Sequence, residues 1–280
     1  GATGMLGEPV ARRLAEEGNT VRVMSRNLNK LKQVFDDTTF QCVQGNVEEE
    51  TSLKKAMTGC TGVHLNLSGS GEQNGAAIAC KVASEIEGMK RITVITGATT
   101  CPENAWFPGT RSKLQAEDAI KASGVPYTIF RCTMFMESLP KWTRGGRAFI
   151  VGNQPTLWRW VAASDYANMV ARSYSSLDKA ANKTLYVYGT EALTMEQALD
   201  IYIKRCAPDT TIRHLPFWQA RITSWMPGNE HLRTVILPWM EYFTKVSELG
   251  DQANVEEANN ILGPPVVTVN QWCEARVTNK

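Results

Sequence analysis

Apolar residues recur along the first half of the chain with two alternating periods. Leu6, Val10 and Leu14 fall on one face of a helix that Gly18-Asn19 stops, and Thr20 to Met24 then alternates as a strand. Residues 28–35 read as a helix, 40–43 as a short strand, and 51–57 as a helix with Thr51 as its cap. A strand over 63–67 and a helix over 76–86 follow. The β-branched run Ile92-Thr93-Val94-Ile95 is apolar enough to lie inside a parallel sheet with both faces covered. A helix from Ser112 to Ser123, closed by Gly124, leads into a strand over 127–130. Strands that alternate with helices of this length make βαβ units, so the pattern predicts an α/β fold on a parallel sheet.

Past residue 135 the pattern loosens. Helices are expected near 164–175, 195–205, 231–246 and 254–262, a strand at 184–188, and a break at Pro264-Pro265. Only Phe35 and Phe40 of the 23 aromatic residues precede residue 105, so the later part is a chemically distinct lobe. The expected organisation is a sheet domain over 1–140, with returning segments near 157–190. A smaller, mostly helical lobe would take 141–156 and 191–280.

Charge changes this picture little. Thirty Lys and Arg against 28 Asp and Glu, with no run of five like charges, argue against a nucleic-acid or membrane surface. No stretch approaches the roughly 18 consecutive apolar residues of a membrane span. The seven scattered cysteines show no CxxC pairing, and three histidines could complete little, so reduced thiols in a cytoplasmic setting and no metal site are expected.

The chemistry concentrates at Gly1-xx-Gly4-xx-Gly7. Glycines at this spacing let a strand turn sharply into a helix and let a pyrophosphate approach the backbone, where the helix N-terminus offers N–H donors. Such a turn follows a strand, so a strand of about 5–6 residues is expected ahead of Gly1, which leaves a targeting segment upstream an open matter. The next strand ends in Met24-Ser25-Arg26-Asn27, where a dinucleotide site discriminates its ribose. An acid there would bind the 2′-hydroxyl of NAD. This chain has Arg26 and Lys30 instead, which suit the 2′-phosphate, so NADP(H) is expected over NAD(H).

GATGMLG, VRVMSRN, Gly45-Asn46-Val47, VITGA at 94–98, Lys113-xxx-Glu117 and SGVPYTIFRCTMFMES at 123–138 together resemble the NmrA-like branch of the atypical short-chain dehydrogenases/reductases. So does the tail NVEEANNILGPPVVTVNQW. The resemblance implies a doubly wound Rossmann sheet, with NADPH along the strand ends and the small lobe over the nicotinamide. Carried across, it implies that Gly1, Thr3, Gly4, Met5, Leu6 and Gly7 hold the pyrophosphate, and that Arg26, with Lys30, holds the 2′-phosphate. Asn46 and Val47 would border adenine, although the family more often has Asp-Val. Leu67, Ser68, Gly69, Thr96, Gly97 and Ala98 would line the cofactor, and Cys132, Thr133, Met134 and Phe135 would flank the nicotinamide.

One departure from the wider superfamily stands out. In Tyr-xxx-Lys the phenol protonates the substrate; here its place is taken by Thr110, ahead of Lys113, and an aliphatic hydroxyl is far too weak an acid. Thr110 and Lys113 are the candidate catalytic residues. Three roles are open to Lys113: binding a ribose hydroxyl, acting alone as acid or base, or pairing with Glu117 one turn on. Trp106, Phe107, Trp142 and Trp158 are either an apolar substrate pocket or lobe core. Asp165 is expected to cap a helix, and His64 to be a core histidine. The functional expectation is an NADPH-dependent reductase of an apolar or aromatic small molecule. The alternative is a non-catalytic NADP sensor or scaffold that binds a regulatory protein; an epimerase, which needs the Tyr, ranks below both.

Overall fold

β-Branched and aromatic residues recur in the strands, and glycine or proline closes several of them, in a computed structural model that describes residues 1–35, 38–67 and 71–278. In chain order the first elements are α1 (Gly7–Glu16), β1 (Val21–Ser25), α2 (Leu28–Val34), β2 (Phe40–Gln44), α3 (Glu50–Met57) and β3 (Gly62–Leu65). Then come α4 (Gly71–Glu85), β4 (Arg91–Gly97), α5 (Pro108–Ala122), β5 (Tyr127–Cys132), β6 (Thr143–Arg144), β7 (Arg147–Val151) and β8 (Trp158–Arg159). The remainder is α6 (Ala163–Ser175), α7 (Leu177–Ala180), β9 (Lys183–Val187), β10 (Ala192–Leu193), α8 (Met195–Cys206), β11 (Thr211–Leu215), α9 (Phe217–Ser224), α10 (Leu237–Phe243), α11 (Gln252–Leu262) and α12 (Val269–Thr278). The chain divides into two units.

The first unit comprises Gly1–Cys132, Ala163–Val187 and Gly250–Pro265. Its strands are all parallel: a four-stranded ladder in the order β3-β4-β5-β9, and a separate pair, β1-β2. β4 is paired on both sides, with Val94 opposite Ile129, and its first six residues are buried, as its β-branched sequence predicts. Leu53, Met57, Val82, Ile92, Val94, Ile120 and Ile129 form one core, and Val21, Val23, Leu31, Phe35 and Phe40 a second. Each of these larger side chains contributes about 1.5–3 kcal/mol by leaving water. This α/β organisation on a parallel sheet is the one the sequence predicts.

The second unit comprises Thr133–Ala162, Tyr188–Leu249 and Val266–Lys280. Here β7 pairs with β11 in parallel and with β6 antiparallel, and α8 packs on α12. A reciprocal capping box between Thr194 and Gln197 starts α8. Trp158, Trp160, Met195, Leu199 and Met240 are buried at its core.

Several boundaries differ from expectation. α3 begins at Glu50 with Glu49 as N-cap, so Thr51 is not the cap. The Asn46 side chain bends the chain earlier, accepting from Glu48 N at 3.2 Å. α5 starts four residues early because Pro108 occupies its first turn, where a missing N–H costs nothing. α6 begins at Ala163, which places Asp165 inside the first turn and not at the cap. The helix expected over 231–246 is a π-helical segment, Leu232–Ile236, followed by α10; Pro238 lacks the amide that regular helical bonding needs. Among the described residues no helix is long and apolar enough to cross a membrane.

Candidate functional site

The glycine turn precedes α1 and abuts the end of β3. A Cβ on Gly1 would overlap the Asn66 carbonyl oxygen, and one on Gly7 would overlap the carbonyl of Gly1. A Cβ on Gly4 would meet only Gly1 O, at 3.1 Å, so the outer side of the turn stays clear. Two glycines therefore serve close packing and the middle one leaves backbone approachable, the arrangement a pyrophosphate requires. Gly4 N donates to Gly1 O at 3.0 Å, and Leu6, the N-cap of α1, makes no side-chain capping bond. The positive end of α1 thus opens beside the turn.

Arg26 follows β1 and is exposed. Lys30 is exposed one turn further on, its backbone N–H held by the Asn27 side chain at 2.9 Å. Asn46 is engaged in its own loop, where Nδ2 donates to Glu49 Oε1 at 3.2 Å. Val47 packs against Gly75, and Leu67 against the core. Ser68 and Gly69 lie outside the described residues.

At the ends of β4 and β5, Ala98 N donates to Cys132 O at 2.7 Å. Burial pushes the Cys132 thiol well above its usual range, so it is no nucleophile. The Thr96 hydroxyl turns inward and donates to Glu117 Oε1 at 2.8 Å. Glu117 is fully buried and accepts both prongs of the Arg131 fork, at 3.0 and 2.7 Å. Arg131 in turn donates to the Tyr186 hydroxyl at 2.9 Å.

This network settles the pairing of Lys113. Its ammonium does not pair with Glu117, as the i,i+4 spacing would allow; it donates to Glu72 Oε1 at 2.6 Å. Glu117 is already committed to a guanidinium that matches it bidentately. The Lys113 stem crosses Gly97, whose Cβ would stand 3.7 Å from its Cδ. Thr110, one turn earlier on α5, is 4% exposed. Trp106 is 48% exposed and meets the buried Phe107 edge-on at 6.0 Å, just ahead of α5. His64 bonds Thr93 Oγ1 through Nδ1 at 2.9 Å, and burial lowers its pKa to about 4, which keeps the ring neutral.

The remaining candidates belong to the second unit. Met134 and Phe135 are tied to Val161, through Val161 N to Met134 O at 3.0 Å and a bridge to Phe135. Trp158, 3% exposed and edge-on to Phe243 at 5.5 Å, is core. Trp142 is half-buried. Thr133 donates its hydroxyl to Glu248, which also accepts Arg159 N at 2.9 Å. Burial raises the Glu248 pKa above the usual carboxylate range despite these donors.

A carboxyl that binds its proton more tightly when folded stabilises below its unfolded pKa, and that contribution is lost as pH rises through the folded value. Glu248→Gln keeps the acceptor oxygen and removes the charge. Thermal melts should place this variant above the unmutated protein at about pH 8, with the gap closing by about pH 4. A gap that widened toward acid would show that Glu248 is ionised without penalty.

Three residues escaped the sequence reading for different reasons. Glu72 lies ahead of the helix expected over 76–86 and falls in the first turn of α4 only because that helix begins at Gly71. Arg131, a charge inside a buried strand, demands a partner, but nothing near it in the sequence says which. Glu248 had no local signal, because Thr133 lies 115 residues away.

Residues 1–174 match a family model described as NAD(P)H-binding. The chain is 28% identical over 204 residues to the (4-alkanoyl-5-oxo-2,5-dihydrofuran-3-yl)methyl phosphate reductase of Streptomyces griseus, covering 70% of this chain and 69% of that one. It is 27% identical over 180 residues to the photosystem II assembly factor Ycf39 of Cyanophora paradoxa, 60% of this chain and 53% of that one. The Escherichia coli NADPH-dependent quinone oxidoreductase, solved with NADPH, superposes with a TM-score of 0.77 at 20% identity, over 99% of this chain and 98% of the other. At that identity the likeness is one of fold.

Proposed function

Because the chain belongs to the NAD(P)H-binding family, we propose that it is an NADPH-dependent reductase of an apolar, aromatic or conjugated small molecule. The observation that carries the reading is the place of Lys113. The one ionisable group retained from Tyr-xxx-Lys stands beside Gly97 at the end of β4, the same end of the sheet that bears the glycine turn. Gly1 and Gly7 pack against backbone too closely for a Cβ, and Gly4 leaves the outer side of the turn clear, so the residues fit a dinucleotide. In this reading the turn and α1 hold the pyrophosphate, Arg26 and Lys30 the 2′-phosphate, and Gly97 and Ala98 the strand-end surface. NADPH supplies a hydride when bound. Lys113 holds the proton at Nζ, and Trp106 with Phe107 offers an apolar wall ahead of α5.

The reductase of Streptomyces griseus supports the reaction class. The second reading, a non-catalytic NADP-responsive scaffold, draws on Thr110 in the phenol's place and on the assembly factor among the relatives. Loss of nicotinamide absorbance across a panel of quinones, enones and aromatic aldehydes tests the first. A silent panel, with NADPH-dependent capture of a partner protein, would overturn it in favour of the second.

The cofactor preference has its own test. A charge-assisted phosphate contact contributes about 1.5–3 kcal/mol, or roughly 10- to 150-fold in affinity. Calorimetric titration of Arg26→Ala should erase most of the preference for NADPH while NADH affinity barely moves. Equal affinities in the unmutated protein would rule the assignment out.

A further inference from the structure

We propose that Glu72 is the positioning residue for Lys113: its carboxylate, on the first turn of α4, holds the Lys113 ammonium at the C-terminal end of β4. The kinetic part of the inference rests on the reductase reading; the geometric part stands alone. The two groups are 2.6 Å apart, and their side chains are 24% and 10% exposed. A pair so shielded is far less screened than one in open solvent.

Lysine has a flexible four-carbon stem, and fixing it costs up to about 1.5–2 kcal/mol of rotamer freedom. Without an anchor Nζ would sweep a wide volume. Glu117 is not the anchor: it carries Arg131, Thr96 and, at 3.5 Å, Lys121, while the Lys113 ammonium lies on Glu72. Gly97 lets the stem lie flat across the strand end, where its Cδ is 3.7 Å from the missing Cβ. That leaves the carboxylate of α4 to decide where the ammonium stops. In a site that has lost its phenol, the proton-bearing group stands alone, and a displacement of about 1 Å costs about 10²-fold in rate. Glu72 acts through Lys113 and contacts no reacting atom itself.

The test uses the full chain and two variants. In Glu72→Gln, acetylation of Lys113 by an N-hydroxysuccinimide ester, read by peptide mass spectrometry, is expected to become severalfold faster. With any quinone or enone that the unmutated protein reduces, kcat should fall about 10- to 100-fold while KM for NADPH stays within about threefold. Glu72→Asp, which retains the charge one methylene shorter, should restore part of both, and it serves alone should Glu72→Gln fail to fold. Unchanged acetylation in the variant that folds overturns the ion pair. Unchanged kcat in that variant, with Lys113→Met impaired, overturns the positioning role and leaves the reductase reading intact. A silent substrate panel in the unmutated protein overturns the reductase reading, and the acetylation rate still decides the pair.

Discussion

Lys113→Met lowers turnover of an accepted quinone, enone or aldehyde by about 10²–10⁴ and leaves NADPH affinity within a few-fold; steady-state kinetics and calorimetry check the two halves. Methionine preserves an unbranched stem that can lie across Gly97 and removes only the ammonium. The size of the effect follows from the residue three positions earlier. A phenol with a pKa of about 10 can share the work of a neighbouring lysine, whereas the buried Thr110 hydroxyl cannot. With Lys113 as the proposed proton donor, its loss therefore exposes its whole contribution. An unchanged kcat would mean that the proton reaches the substrate from another group.

The largest expected effect on stability lies at Glu117. Glu117→Ala should reduce unfolding free energy by about 3–5 kcal/mol, because it strands the Arg131 guanidinium in a largely buried place. The same substitution deprives Thr96 of its acceptor and removes the tie between α5 and the ends of β4 and β5. Tyr186 still accepts from Arg131, but a neutral hydroxyl does not neutralise the charge. Urea unfolding measures the loss. Pairing Glu117→Ala with Arg131→Met should recover part of it, since the cost comes from the uncompensated charge more than from the lost bond. A single-variant loss below about 1 kcal/mol would place the pair among weak surface bridges.

How much of this was legible beforehand depends on the range over which each feature is specified. The strands and helices of the first unit follow from periods of two and 3.6, and from glycine stops such as Gly18 and Gly124, both at positive φ. The glycine turn and the basic strand end were legible because both are contiguous patterns within one short stretch of chain, of the kind a dinucleotide fold uses. Boundaries slipped where a local device outweighed the periodic pattern, as Asn46 does before α3 and Pro238 does in the first turn of α10.

The second unit gave less away, because its short strands β6, β8 and β10 hold two residues each and carry no period. The partners of charged side chains lay further from view. Lys113 and Glu117 share a helix face, and spacing alone pairs them. Arg131 on β5 and Glu72 on α4 reach that face only after parallel pairing has brought β4 and β5 together, and Glu117 then takes the guanidinium that matches it in two places. The sequence by itself determined the α/β alternation, the glycine turn ahead of α1 and the basic residues that follow β1, all of which arise from neighbours along the chain. The tertiary structure decided which carboxylate meets which cation, because a long side chain chooses its partner by what packing brings within about 4 Å and how dry the place is, and neither is a property of residues adjacent in sequence.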